Sequence, residues 1–250
     1  MIIIAIGGDE VGPLVNGLLK PVKAEAIHKE IIARSGKEHP KVLFIPTAKN
    51  DAEDYIAGFQ HYYLGLGAKK VDVLRLVNDA PSIEEIEVKI YSTDIIYVGG
   101  GNTFKMMSVW KRTGAAEVLK QAYERGTVMA GHSAGAICWF TDGDSDSFEK
   151  GKPFKVTGLG IIDGVLCPHY DTEPVRQEAL KKIMKRTPRL VALALDECAA
   201  IEMVDDSYRI LSTNLGKARR AYWKQGEYII EELTPTQGLL SLGELLKKPV

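Results

Sequence analysis

Apolar residues fall into short unbroken runs along this chain, separated by stretches of helical spacing. Residues 2–6 (Ile-Ile-Ile-Ala-Ile) are such a run, 41–46, 94–98 and 127–130 are mainly apolar, and 71–76 reads as a further strand. A strand with no polar alternation is covered on both faces, as in a parallel sheet between helices. Between these runs, residues 24–33, 51–64, 82–90 and 115–125 carry apolar positions three and four apart, the spacing of helices. Ser82 followed by Glu85 predicts a capping box at one helix start. Strands alternating with helices on this scale predict a parallel sheet with helices on both faces, whose ligands bind at the carboxyl ends of the strands. Two glycine-rich turns fall at such ends, Gly99-Gly100-Gly101-Asn102 and Gly131-His132-Ser133-Ala134-Gly135.

Beyond residue 140 the texture changes. Residues 141–152 are polar and acidic (Asp142, Asp144, Asp146, Glu149) and read as a surface loop. Short strands at 158–163 and 165–168 lead to His169, and 173–185 is helical. The strand at 190–195 ends at Asp196-Glu197. Short alternating strands at 199–204, 208–211, 221–223 and 228–230 then form an antiparallel extension, closed by a helix at 239–246. No repeat, low-complexity tract or linker divides the 250 residues, so one domain over 1–250 is expected.

Composition narrows the partners. A 45% hydrophobic, 26% charged chain has the makeup of an ordinary globular protein. A net charge of −1 without basic or acidic blocks gives no electrostatic case for nucleic acid or an anionic membrane. The apolar start at 1–6 is too short for a signal peptide and reads as a first strand turning at 7–9. No run approaches a membrane span. Cys138, Cys167 and Cys198 are scattered, with no metal-ligand spacing, which fits a reducing cytoplasm. Exposed aromatics on helix 51–64 (Tyr55, Tyr62) suit either the core or a homodimer contact.

The chemistry centres on Ser133. G-x-S-x-G between a strand and a small-residue helix is the nucleophile-elbow pattern, in which a tight turn lifts the hydroxyl out of the backbone. A serine hydroxyl needs a base. His28, His39 and His61 sit in surface-like settings, and His132 adjoins the nucleophile on a turn where neighbouring side chains diverge. His169 follows an apolar strand and is the best-placed base. For the acid that orients it, Asp196 and Glu197 both end an apolar strand; Asp142, Asp144, Asp146 and Asp171 are alternatives. The N–H of Ala134 and a donor from the Gly99–Asn102 turn would form the oxyanion hole. A phosphate-binding role for that turn is disfavoured, since it lacks both the G-x-G-x-x-G spacing and the Walker ending.

The Val98-Gly99-Gly100-Gly101-Asn102-Thr103-Phe104 turn, the Gly131-His132-Ser133-Ala134-Gly135-Ala136 elbow and His169 after residues 158–163 together resemble peptidase family S51. That family includes peptidase E, an α-aspartyl dipeptidase, and cyanophycinase. The resemblance implies a class I glutamine amidotransferase-like (flavodoxin-like) sheet and a triad in the order Ser, His, Glu. It makes Ser133 the nucleophile, His169 the base and Glu197 the acid, with Gly101 and Ala134 as oxyanion donors. Arg176 would hold a substrate carboxylate, a task suited to a guanidinium, with Asn102 beside it in substrate binding. The expected protein is a cytoplasmic serine peptidase for short peptides, preferring aspartyl residues and needing no metal or cofactor. Rival readings are an esterase, whose triad order would be Ser, acid, His, and a non-catalytic protein holding an anion at the glycine turns.

Overall fold

The structure, a computed structural model, describes residues 1–8, 11–12, 21–149, 151–213 and 215–248. Asp9, the last residue of the expected 7–9 turn, and Lys150, within the expected acidic loop, lie outside the described residues. Five strands form the parallel heart of an eight-stranded sheet: β1 (Ile2–Ile6), β2 (Lys41–Ile45), β3 (Lys70–Val73), β4 (Ile95–Val98) and β5 (Val128–His132). Antiparallel strands β10 (Ala199–Val204), β11 (Ser207–Ser212) and β14 (Leu240–Ser241) extend it, giving the order β14-β11-β10-β1-β5-β4-β2-β3.

Period-two alternation decides where each β1 residue goes. Ile3 and Ala5 enter one core, Ile4 and Ile6 the other. The second face is covered by helices α1 (Glu25–Arg34) and α2 (Glu53–Gly65). There Phe44 stacks on Phe59 at 3.9 Å and Phe59 on Tyr63 at 4.3 Å. Tyr55 is 2% exposed, so this aromatic face belongs to the core. The first face carries α3 (Ile83–Tyr91), α4 (Thr103–Thr113), α5 (Ala115–Glu124) and α6 (Ala134–Ile137). Helix α3 begins with the expected capping box of Ser82 and Glu85.

A second, mixed sheet has the order β13-β12-β9-β8-β6-β7. Its strands are β6 (Phe140–Ser145), β7 (Phe154–Thr157), β8 (Ile162–Cys167), β9 (Ala192–Leu195), β12 (Ala218–Lys224) and β13 (Glu227–Leu233). Helix α7 (Val175–Arg186) packs on it through Leu180, Ile183 and Met184. The expected acidic surface loop is therefore corrected in part: its first residues form β6, with Asp142 and Asp144 buried. The expected strands at 158–163 and 165–168 are replaced by β8, and the chain closes as β14 followed by a short α8 (Leu242–Leu246) rather than one helix. The antiparallel strands divide between two sheets, and the core beneath α4 to α6 runs on into Leu166, Leu193 and Leu195 of the second.

Parallel registry brings the strand ends together. Ile6 pairs with His132, and Val98 pairs with both Gly131 and Ile45. The residues that follow, Gly7, Ser133 and Gly99, therefore gather at one edge of the sheet.

Candidate active site

Ser133 has φ 52° and ψ −116°, a backbone conformation that costs on the order of 1–3 kcal/mol and is held only by its surroundings. Those surroundings are two glycines and a neighbouring strand. A Cβ on Gly135 would fall on the carbonyl of Val98, and one on Gly131 on the carbonyl of Gly135. Both glycines of G-x-S-x-G are thus required by close approach of backbone. The N–H of Ser133 donates to Ile6 O at 3.1 Å, which ties the elbow to the end of β1.

The next carbonyl of that strand end, Gly7 O, accepts from the N–H of His169 at 3.3 Å. Serine and histidine therefore hang from consecutive carbonyls. His169 also has a left-handed backbone, φ 53°. Its Nδ1 meets Glu197 Oε1 at 2.5 Å, with the imidazole 19% and the carboxylate 31% exposed. Glu197 is fixed in turn: its N–H donates to Asp171 Oδ1 at 2.9 Å, and Cys198 beside it has φ 59°. A Cβ on Gly8 would fall on the Glu197 carboxylate, so that glycine leaves room for the acid. The Ser133 hydroxyl makes no hydrogen bond among the described residues.

Asp196, the neighbouring carboxylate, is occupied elsewhere. It accepts from both ends of the Arg219 guanidinium, at 2.7 and 3.2 Å, and from the N–H of Lys217. Asp142 is bound by Lys155 at 3.0 Å. Asp144 and Asp146 face Arg176, and Asp171 serves the Glu197 backbone. Of the six candidate acids, Glu197 is the one placed against His169.

Both turns carry a backbone N–H without a bond. The N–H groups of Gly101, with φ 136°, and of Ala134 have no acceptor among the described residues. The glycine turn touches the elbow, since a Cβ on Gly100 would lie 3.3 Å from Ser133 Cβ.

The two residues expected to bind substrate are placed differently. Arg176 is 3% exposed and surrounded by acceptors: Glu173 Oε2 at 2.6 Å, Asp144 O at 2.9 Å and Asp146 Oδ1 at 3.5 Å. Its guanidinium braces the start of α7 against the end of β6. Asn102 caps α4 by accepting from the N–H of Lys105 at 2.8 Å, and its amide donates to Ser147 O at 2.7 Å. A cleft of about 630 Å³ lined by Phe104, Phe148, Phe154 and Lys111 contains none of the serine, histidine or glutamate.

His132 is the neighbour whose part sequence reasoning missed. It is 2% exposed, and burial first, then the charges of His169 and Lys49, hold its pKa down to about 3. Its two ring nitrogens are engaged by Tyr97 Oη and the Gly100 N, so neither is turned to the Ser133 hydroxyl.

A family model described as peptidase family S51 matches residues 16–211. The chain belongs to peptidase family S51. It is similar to "Uncharacterized peptidase YgaJ" of Bacillus subtilis, 33% identical over 204 residues, covering 81% of this chain and 86% of that one. It also matches "Peptidase E" of Nostoc sp., 23% identical over 184 residues, 70% of this chain and 74% of that one. Among solved structures, a peptidase from an acI-B1 Actinobacterium superposes with a TM-score of 0.72 at 19% identity, covering 96% of each chain. A putative peptidase E protein from Listeria monocytogenes gives 0.60 at 20% identity, covering 93% of this chain and 98% of that one. At such identities the two structures speak for the fold, a mixed α/β arrangement with helices on both sides. Family membership makes the chain a serine peptidase. No helix among the described residues of this S51 peptidase is long and apolar enough to cross a membrane.

Proposed function

We propose that this S51 peptidase hydrolyses short peptides through a Ser133-His169-Glu197 triad and an acyl-enzyme. The observation that carries the reading is the 2.5 Å contact of His169 Nδ1 with Glu197 Oε1 at the sheet edge where the strained Ser133 turn sits. Ser133 Oγ attacks the scissile carbonyl while His169 Nε2 takes its proton, and Glu197 stabilises the imidazolium that forms. The N–H groups of Gly101 and Ala134 receive the negative charge of the tetrahedral oxygen. Collapse of that intermediate transfers the proton from His169 to the departing amine. Water, deprotonated by the same imidazole, then releases the acyl group and restores Ser133.

We further propose an aspartyl residue on the amino side of the scissile bond. Family resemblance supports this preference; Arg176 supplies no open guanidinium for it, being ion-paired with Glu173, Asp146 and Asp144. The cytoplasm and a reducing milieu suit three buried cysteines that form no disulfide among the described residues.

A fluorophosphonate tests the mechanism and a dipeptide panel tests the specificity. The expected results are a single adduct on Ser133, no adduct in Ser133→Ala, and faster cleavage of Asp-X than of isoaspartyl or Ala-X dipeptides. Absence of the adduct in the wild-type protein would sink the triad. Equal rates on Asp-X and Ala-X would leave the triad standing and remove the aspartyl preference.

A further inference from the structure

One side chain joins the nucleophile turn to the glycine turn without taking part in the proposed chemistry. His132, the residue before Ser133, lies with Nε2 3.2 Å from the N of Gly100 and Nδ1 3.0 Å from Tyr97 Oη. A backbone N–H can only donate, so Nε2 is the accepting nitrogen. The ring proton then sits on Nδ1, toward the Tyr97 hydroxyl. From helix α2, Tyr55 Oη accepts the same Gly100 N–H at 3.2 Å. Absence of a side chain at position 100 makes this possible, because a Cβ there would lie 2.6 Å from His132 Nε2.

The consequence falls one peptide further on. The Gly100 N–H is held by His132 and Tyr55, and the Asn102 N–H donates to Ala48 O at 2.8 Å. The peptide between them carries the N–H of Gly101, which has no acceptor among the described residues. Three glycines in a row offer no Cβ to resist a peptide flip. Clamped on both sides, the Gly101 N–H is kept available to an oxyanion instead of turning away.

We infer that His132, with Tyr55 as second acceptor, is a positioning residue that locks the Gly99–Gly101 turn in its oxyanion-binding arrangement from within the nucleophile elbow. The inference rests on the serine-peptidase mechanism proposed above. Because His132 and Ser133 are consecutive, nucleophile and oxyanion donor share one rigid frame, which is the preorganisation that this type of catalysis needs.

Fluorophosphonate labelling tests this without a known substrate. In that reaction Ser133 Oγ bonds to phosphorus, fluoride leaves, the hydroxyl proton passes to His169, and the phosphoryl oxygen draws charge into the hole. Saturation kinetics separate the chemical step, kinact, from probe binding, KI. His132→Leu should lower kinact by roughly tenfold to a hundredfold at unchanged KI, below the roughly 10²–10³ typical of losing a whole donor. His132→Gln, whose side-chain oxygen can take the Nε2 position, should return to within about threefold of wild type, and Tyr55→Phe should fall between. A role in packing alone would not produce that rescue. Wild-type kinact in His132→Leu, or His132→Gln as slow as His132→Leu, overturns the inference while the peptidase reading stands. If His132→Leu fails to fold, an unchanged kinact in folded Tyr55→Phe overturns it and a lowered one supports it. No labelling of wild-type Ser133 overturns the underlying mechanism instead.

Discussion

His169 and Glu197 are 28 positions apart, and they meet where two glycines of a third segment leave space. Gly7 and Gly8 follow β1. A Cβ on Gly7 would fall on the carbonyl of Asp196, and one on Gly8 on the carboxylate of Glu197. Gly8→Ala should therefore push the acid off the imidazole. An ångström of misplacement in a catalytic group costs on the order of 10²-fold, so kinact for the fluorophosphonate should drop by about that factor while the melting temperature moves little. The two adjacent carboxylates should separate cleanly. Glu197→Gln keeps its size but loses the charge that orients the imidazole, and should cost roughly 10³–10⁴-fold in rate with folding intact. Asp196→Asn should do the reverse, weakening the fold through lost contacts to Arg219 and Lys217 while the chemical step survives. Thermal melting and labelling rates on both variants check the pair. At this scale the serine and the histidine were legible because each ends an apolar run at a sheet edge. The choice between Asp196 and Glu197 was not, since their surroundings differ through Arg219, Lys217, Asp171 and Gly8, all remote in sequence.

Elements were legible where one physical rule acted alone. The inner parallel strands are apolar on both faces, the helices between them repeat at helical spacing, and both glycine turns sit at strand ends. Strand β6 escaped because its residues, Phe-Thr-Asp-Gly-Asp-Ser, look like a solvated loop. They are buried because charge partners come from elsewhere: Lys155 on β7 for Asp142, and Arg176 on α7 for Asp144. Hydropathy along the chain cannot register a partner 32 positions away. The same pairing turns Arg176 from an expected substrate clamp into a brace between α7 and β6. Arg176→Ala would leave Asp144, fully buried, without its cation. Such a break costs about 3–5 kcal/mol when the orphan stays charged. Burial first of all raises the Asp144 carboxyl to about 7, despite the lowering effect of Arg176. In the variant the carboxyl can take up a proton more readily still, so the loss should be largest above neutrality and shrink toward pH 6. Urea unfolding of wild type and Arg176→Ala at pH 6 and pH 8 measures that difference. Equal losses at both would mean that Asp144 is not the group left exposed.

For the whole molecule, buried titratable groups set the pH at which the fold is firmest. Burial holds His28 and His132 down to about 3 from an ordinary value of 6.5, His132 also feeling the charge of His169. Below 6.5 the unfolded chain protonates both imidazoles while the folded chain leaves them neutral, so stability falls as pH falls. Asp144 acts in the opposite sense. Its carboxyl titrates near 7 in the fold and near 3.8 when unfolded, so between those values the folded chain holds the extra proton and gains as pH falls. Near pH 7 the two effects balance; well below 6.5 two histidines oppose one carboxyl, a net of about one proton. The balance of these three groups should therefore be most favourable near pH 7, and stability should decline with a slope approaching roughly 1.4 kcal/mol per pH unit toward pH 4. His28→Gln removes one of the two imidazoles and should flatten that decline, since one imidazole and one carboxyl then nearly cancel. Urea midpoints between pH 4.5 and 8 in wild type and His28→Gln, with Ser133 labelling measured alongside, test the balance. A decline equally steep in both proteins would show that the lost stability comes from other groups. His132 is the second of the two imidazoles, so the part of the decline that remains in His28→Gln comes from the ring that bridges the Ser133 turn and the glycine turn.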